Sequence, residues 1–184
     1  MSRLILFSGG VESTALLTIA SPGDYLLIVD AGLNWYAPSV DYWKAHLIAD
    51  RFGLELMTVT LSLPKAREKI DFVHQLEIFV GVANLIVRAH PEIDAVWCGR
   101  NSAEPSEAIA PTVIRTMGAW DLISPDVPFV HPLDFMTKRQ QWDLIPDDVK
   151  PLVVSCLRHQ SQKVAADPAC AKCKEVQEML DDAS

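Results

Sequence analysis

Ser8-Gly9-Gly10-Val11-Glu12-Ser13-Thr14 stands directly after the apolar run Leu4-Ile5-Leu6-Phe7 and directly before Ala15-Leu16-Leu17. That order predicts a buried strand ending in a paired-glycine turn from which a helix starts. Adjacent glycines permit left-handed backbone angles and let a ligand approach without meeting a β-carbon. Ser8, Ser13 and Thr14 add hydroxyl donors. A helix opening at this turn leaves its first amides unpaired and places the positive end of its dipole there, which suits a phosphate or pyrophosphate. The stretch therefore reads as an anion cradle. It has neither the spacing and Gly-Lys of a Walker loop nor the third glycine of a dinucleotide fingerprint. An ordinary tight turn would need the glycines alone, without the serines, strand and helix around them.

Working outward, Ser21-Pro22-Gly23-Asp24 is a turn by composition, and Tyr25-Leu26-Leu27-Ile28-Val29-Asp30 reads as a second strand buried on both faces. Ser39 offers an N-cap. Val40, Trp43 and Leu47 fall at helical spacing before Gly53, which predicts an amphipathic helix over about 39–52. Leu54 to Leu61 reads as a third strand, and alternating strands and helices imply a parallel sheet with right-handed crossovers and helices on both faces. Phe72 to about His90 keeps a helical period through Val73, Leu76, Val80, Ala83 and Val87. Asp94 to Gly99 is a fourth strand, followed by the polar loop Arg100 to Pro105. In such sheets ligands sit beyond the C-terminal strand ends, so this loop and Asp30 should flank the glycine turn. Asp30 at a strand end serves equally well as a cap.

Residues 106–118 look helical with a break at Pro111, and Phe129 to Leu133 reads as a short fifth strand. Thr137-Lys138-Arg139-Gln140 has the form of a capping box, which starts a helix at Lys138. Its ammonium could face the anion site or solvent. The expected architecture is a single α/β domain over 1–184 with a mostly parallel sheet of about five strands, closed by a cysteine-containing tail over about 155–184.

A length of 184 residues suits one core. With 16 Lys and Arg against 24 Asp and Glu, the net charge of −8 argues against a duplex nucleic-acid partner. No uninterrupted apolar stretch of about 18 residues appears, and the apolar start lacks the basic flank and cleavage site of a signal peptide. A soluble, cytoplasmic protein without membrane contact is expected. Trp35, Tyr36 and Trp43 read as core or as an oligomer contact, which leaves a homodimer open.

Of the four cysteines, Cys156, Cys170 and Cys173 fall near the end, the last two at C-x-x-C spacing. A tetrahedral zinc needs a fourth ligand, for which His159, Asp167 and Cys98 are candidates. Alternatively Asp167-Pro168 starts a last helix and the two cysteines share one of its faces. Cys98, inside an apolar strand, reads as an inert core thiol.

The loop Ser8 to Ser13 resembles the Ser-Gly-Gly-x-Asp-Ser pyrophosphate loop of the ATP pyrophosphatases, with Glu12 where that superfamily usually has Asp. Asp30-Ala31-Gly32, Gly99 to Glu104, His131-Pro132-Leu133 with Thr137-Lys138, and Ser155-Cys156 leading to Cys170-x-x-Cys173 follow in an order similar to that of the 7-cyano-7-deazaguanine synthase family. The departures are Glu12, Leu33 in place of glutamine, a longer gap from Cys156 to Cys170, and Val176 in place of a last cysteine.

The resemblance implies an adenine-nucleotide α-hydrolase-like fold and an ATP-dependent, AMP-forming carbon–nitrogen ligase of queuosine-type deazapurine biosynthesis. Its substrates would be 7-carboxy-7-deazaguanine and ammonia, with ATP, Mg2+ and, through Cys156, Cys170, Cys173 and His159, Zn2+. Ser8, Gly9, Gly10, Ser13 and Thr14 would hold the phosphates, with Asp30 on the nucleoside side. Lys138 would offset charge on the departing pyrophosphate, and Glu12 would orient the loop or a magnesium-bound water. Asn101 and Glu104 would face the substrate. Two other readings stay open: an adenylating ligase for a different carboxylate or a tRNA base, and a nucleotide-binding module without catalysis.

Overall fold

The computed structural model describes residues 2–30, 42–61, 72–100, 110–153, 174 and 176–179, without the side chains of 72–76 and 110–114. Its elements are β1 (Ser2–Leu6), α1 (Val11–Ala15) continued as a 3-10 turn (Leu16–Ile19), β2 (Tyr25–Asp30), α2 (Tyr42–Phe52) and β3 (Glu55–Thr60). Then follow α3 (Phe72–Ala89), β4 (Ile93–Cys98), α4 (Ala110–Ile123), β5 (Phe129–Val130), α5 (Lys138–Leu144) and a 3-10 turn (Lys150–Leu152).

The five strands form one parallel sheet in the order β3-β2-β1-β4-β5. Successive strand residues point to opposite faces, so β1 feeds two cores. Ile5 and Phe7 pack with Leu16, Leu26, Ile28, Ile48, Trp142 and Ile145 under α1, α2 and α5. Leu4 and Leu6 pack with Leu27, Phe79, Ala83, Trp120 and Phe129 under α3 and α4. Helices thus cover both faces of a single-domain α/β sheet, as the alternating apolar runs implied. At the N-terminal edge, buried Asp24 accepts hydrogen bonds from the Arg3 and Ser21 amides, both 2.8 Å, and pairs with the Arg3 guanidinium. That network pins β1 to β2 at the end opposite the glycine turn.

Strand order reverses between β1 and β4, because the chain moves outward through β2 and β3 and then returns to the far side of β1. β1 leads into α1 on one face of the sheet and α4, the helix after β4, packs on the other, so the strand order switches at that edge, where open α/β sheets bind ligands.

Three expectations are corrected. In α2 the buried residues are Ala45, Ile48 and Ala49, whereas Trp43 and Leu47 are about half exposed; the smaller stripe lets the helix lie close to the sheet. Pro111 does not break α4, since it lies in the first turn, where no intrahelical amide bond is due. The fifth strand has two residues only, because Asp134 N bonds back to His131 O and turns the chain.

Candidate anion-binding site

Gly9 has φ +79°, in the left-handed region where a side chain is strained, and Gly10 returns to extended angles as the N-cap of α1. The turn thus needs glycine at the first position for its backbone angle. The Thr14 amide and hydroxyl both bond the Gly10 carbonyl, at 2.9 and 2.8 Å, and the Ser13 hydroxyl donates to it at 3.2 Å. Ser8 N donates to Ser13 Oγ at 3.3 Å, and the two hydroxyls lie 3.2 Å apart. These bonds fold the loop back on the first turn of the helix. Thr14 is fully buried and braces the loop from within, while Ser8 stands exposed at its rim.

Lys138, the first residue of α5, is 3% exposed, and its Nζ lies 3.5 Å from Glu12 Oε1. A buried ammonium is rare unless paired, and here the pairing joins two helices. Local sequence explains the placement. Thr137 caps α5, accepting from Gln140 N at 3.2 Å while the Gln140 side chain accepts from Thr137 N at 2.8 Å. The box fixes the first turn, and the packing of Trp142 and Gln141 beneath it turns Lys138 inward toward α1.

Gly99 follows β4 at the same edge of the sheet. A β-carbon there would lie 2.5 Å from Ser13 N and 2.6 Å from Glu12 C, so only glycine lets the exit of β4 touch the first turn of α1. Just before it, burial pushes the Cys98 thiol up to about 12, against the pull of Arg100 and with the Glu12 carboxylate adding to the rise. This thiol is uncharged at neutral pH, and the residue is partly buried, packed against the core under α3 and α4 rather than within it.

Two groups tie these pieces together: Gln141, which the sequence did not single out, and His131, which it placed in an ordered motif but gave no role. Gln141, fully buried, donates through Nε2 to Arg100 O at 2.9 Å and Leu133 O at 2.8 Å, binding α5 to the exits of β4 and β5. His131 Nδ1–H donates to Cys98 O at 2.9 Å, and burial holds its imidazole below its usual pKa although the Cys98 carbonyl opposes the shift. His131 Nε2 and Gln141 Oε1 are buried with no hydrogen-bond partner among the described residues. Neither residue carries a spacing signal, since a lone polar side chain looks solvated until packing encloses it. Gln141 at three residues beyond Lys138 was the one available hint.

Asp30 ends β2 on the same sheet edge and accepts from the Tyr42 hydroxyl at 3.1 Å. Burial and the adjacent carboxylate push the Tyr42 phenol up, with Thr60 opposing. Asn101, Glu104, Cys156, His159, Cys170 and Cys173 lie outside the described residues. Among the described residues, no group of three or more His, Cys, Asp or Glu could hold a metal ion, and no helix is long and apolar enough to cross a membrane.

No family model and no curated protein sequence matches the chain. Eleven solved chains match in structure. One is the U34-tRNA thiolase NcsA from Methanococcus maripaludis, solved with its 4Fe-4S cluster, at a TM-score of 0.61 and 14% identity. The likeness covers 99% of this chain and 66% of that one. At that identity it establishes the fold, the adenine-nucleotide α-hydrolase-like α/β architecture expected from the order of motifs.

Proposed function

We propose that this chain is a pyrophosphate-loop ATP-using enzyme that transfers AMP to an acceptor oxygen and releases pyrophosphate. The observation that supports it most is the buried Lys138 ammonium beside Glu12, at the mouth of a glycine turn that opens a helix. An acceptor oxygen attacks the α-phosphorus, the bond to the bridging oxygen breaks, and the β- and γ-phosphates leave as an anion. The unpaired amides of the first turn of α1 and the Lys138 ammonium receive that charge, and preorganised donors of this kind are worth several kcal/mol. Glu12 holds Lys138 in place from 3.5 Å. Magnesium, when bound with the nucleotide, would neutralise phosphate charge, and Glu12 is the nearby carboxylate able to meet one of its waters.

The acceptor in this reading is a carboxylate, 7-carboxy-7-deazaguanine or a similar one, and ammonia then displaces AMP to give the amide. A second activation would take the amide to the nitrile. Its support is the order of motifs along the chain. The second reading, adenylation of a tRNA base, takes its support from the likeness to a tRNA thiolase. The net charge of −8 weighs against a large polyanionic partner.

The test is pyrophosphate release from ATP and magnesium with 7-carboxy-7-deazaguanine and ammonium, or with tRNA and a sulfur donor, reading products by mass. The carboxylate with ammonium should give pyrophosphate and an amide or nitrile, and Lys138→Met should lower that rate by about 10²–10³-fold while ATP still binds. Pyrophosphate with tRNA alone would move the acceptor to the second reading. A chain that binds no ATP would overturn both.

A further inference from the structure

The outer faces of α3 and α4 carry features that packing within the chain leaves unused. Gly81 and Gly118 lie in helix interiors, and a β-carbon at either would meet nothing within 4 Å. Glycine is the poorest helix former after proline, and among the described residues nothing requires its small size at these positions. Four residues after each, a leucine stands in solvent: Leu85 is 69% and Leu122 85% exposed. Asn84 and Arg88 of α3 both donate to the Ile123 carbonyl, at 3.5 and 3.2 Å, so the end of α4, with Leu122 and the half-exposed Ile123, borders the Leu85 face.

We propose that this face pairs two copies of the chain about a two-fold axis, with α3 of one copy antiparallel to α3 of the other. Glu77, Gly81, Leu85 and Arg88 share one stripe of the helix at spacings of four, four and three, and all are exposed. With the axis between positions 81 and 85, each Leu85 seats on the bare backbone at the other copy's Gly81. The same register sets each Glu77 carboxylate opposite the other copy's Arg88 guanidinium, whose fork keeps further N–H donors beside the one on Ile123. The stripe is therefore complementary to itself in shape and charge, which is what a two-fold interface demands. A parallel pairing would set Glu77 against Glu77 and Arg88 against Arg88, so charge selects the antiparallel one. An 18-residue helix is about 27 Å long, and the end of α4 beside it widens the face with Leu122 and Ile123. This face belongs to the α3–α4 layer, opposite α1 and α5, so pairing leaves the glycine turn open.

Sedimentation velocity on the full chain tests it, with circular dichroism and melting to show that each variant folds. The wild type is expected to be a dimer at micromolar concentration. Glu77→Arg and Arg88→Glu should each raise the dissociation constant by about tenfold or more, and the double reversal should restore it. Leu85→Asp should give a monomer. Gly81→Leu should also give a monomer, yet with an unchanged or higher melting temperature, since the site is open in the single chain and glycine disfavours helix. A wild type that stays monomeric at millimolar chain concentration would overturn the proposal and leave the face to a different protein. A dimer indifferent to these changes, or a double reversal that fails to restore pairing, would overturn it equally.

Discussion

His131 takes its proton arrangement from one contact: Nδ1–H is held by the Cys98 carbonyl at 2.9 Å, which leaves Nε2 as a buried acceptor with no partner among the described residues. Burial favours the neutral ring and pulls its pKa down in the fold, while the unfolded chain titrates near the ordinary value of about 6.5. Between those two values the unfolded state binds more protons. Its stabilising share is thus complete above about pH 6.5 and declines as the pH falls toward the lower folded value. His131→Asn keeps an N–H for the Cys98 carbonyl and does not titrate. Urea unfolding at about pH 5 and pH 7.5 should show a smaller loss of midpoint in the variant than in the wild type, and equal losses would assign the acid sensitivity to other groups. Glycines divide by a similar logic. Gly9 was legible as a turn residue from its neighbours, whereas the need for Gly99 arises only because β4 brings it against Ser13 and Glu12, almost ninety positions away in the chain.

At the level of elements, α5 shows how a local signal becomes part of a site. The Thr137–Gln140 box was readable because its partners are three residues apart, and the structure contains both of its hydrogen bonds. Thr137→Ala should cost about 1 kcal/mol, seen as a lower melting temperature. If the proposed function holds, the loosened first turn should also slow pyrophosphate release while ATP affinity is largely kept, because Lys138 is the next residue. A variant that melts lower yet turns over at the wild-type rate would detach the cap from the site. By contrast α2 defeats periodicity. Two apolar stripes compete on it, Trp43 with Leu47 and Ala45 with Ile48 and Ala49, and spacing alone does not rank them. The smaller one faces the sheet, since small side chains allow close approach and the bulkier Trp43 is easier to leave half exposed at the surface.

For the molecule as a whole, the candidate site lies at the reversal of strand order and draws on the ends of four elements, β1, α1, β4 and α5. A ligand there should brace them together. If the proposed function holds, ATP at 100 times its dissociation constant adds about 2.7 kcal/mol, which for a chain of this size raises the melting temperature by roughly 5–10 °C. Thermal melting with ATP and magnesium should show that rise, and Lys138→Met should shrink it less than it shrinks turnover. No rise at millimolar ATP would count against nucleotide binding at the glycine turn.

The chain by itself determined what depends on near neighbours and on period. The glycine turn after an apolar strand, the capping box of α5 and the parallel α/β alternation all follow from residues within a few positions of one another. Tertiary structure decided what depends on distance in space. It turned Lys138 inward to meet Glu12 3.5 Å away, enclosed Gln141 and His131 against the carbonyls at the exit of β4, and chose which stripe of α2 is buried. The reason is that burial and pairing are properties of the environment. A lysine, a glutamine or a histidine is written identically whether it stands in water or in a core, and only the packing of remote elements settles which charge has a partner.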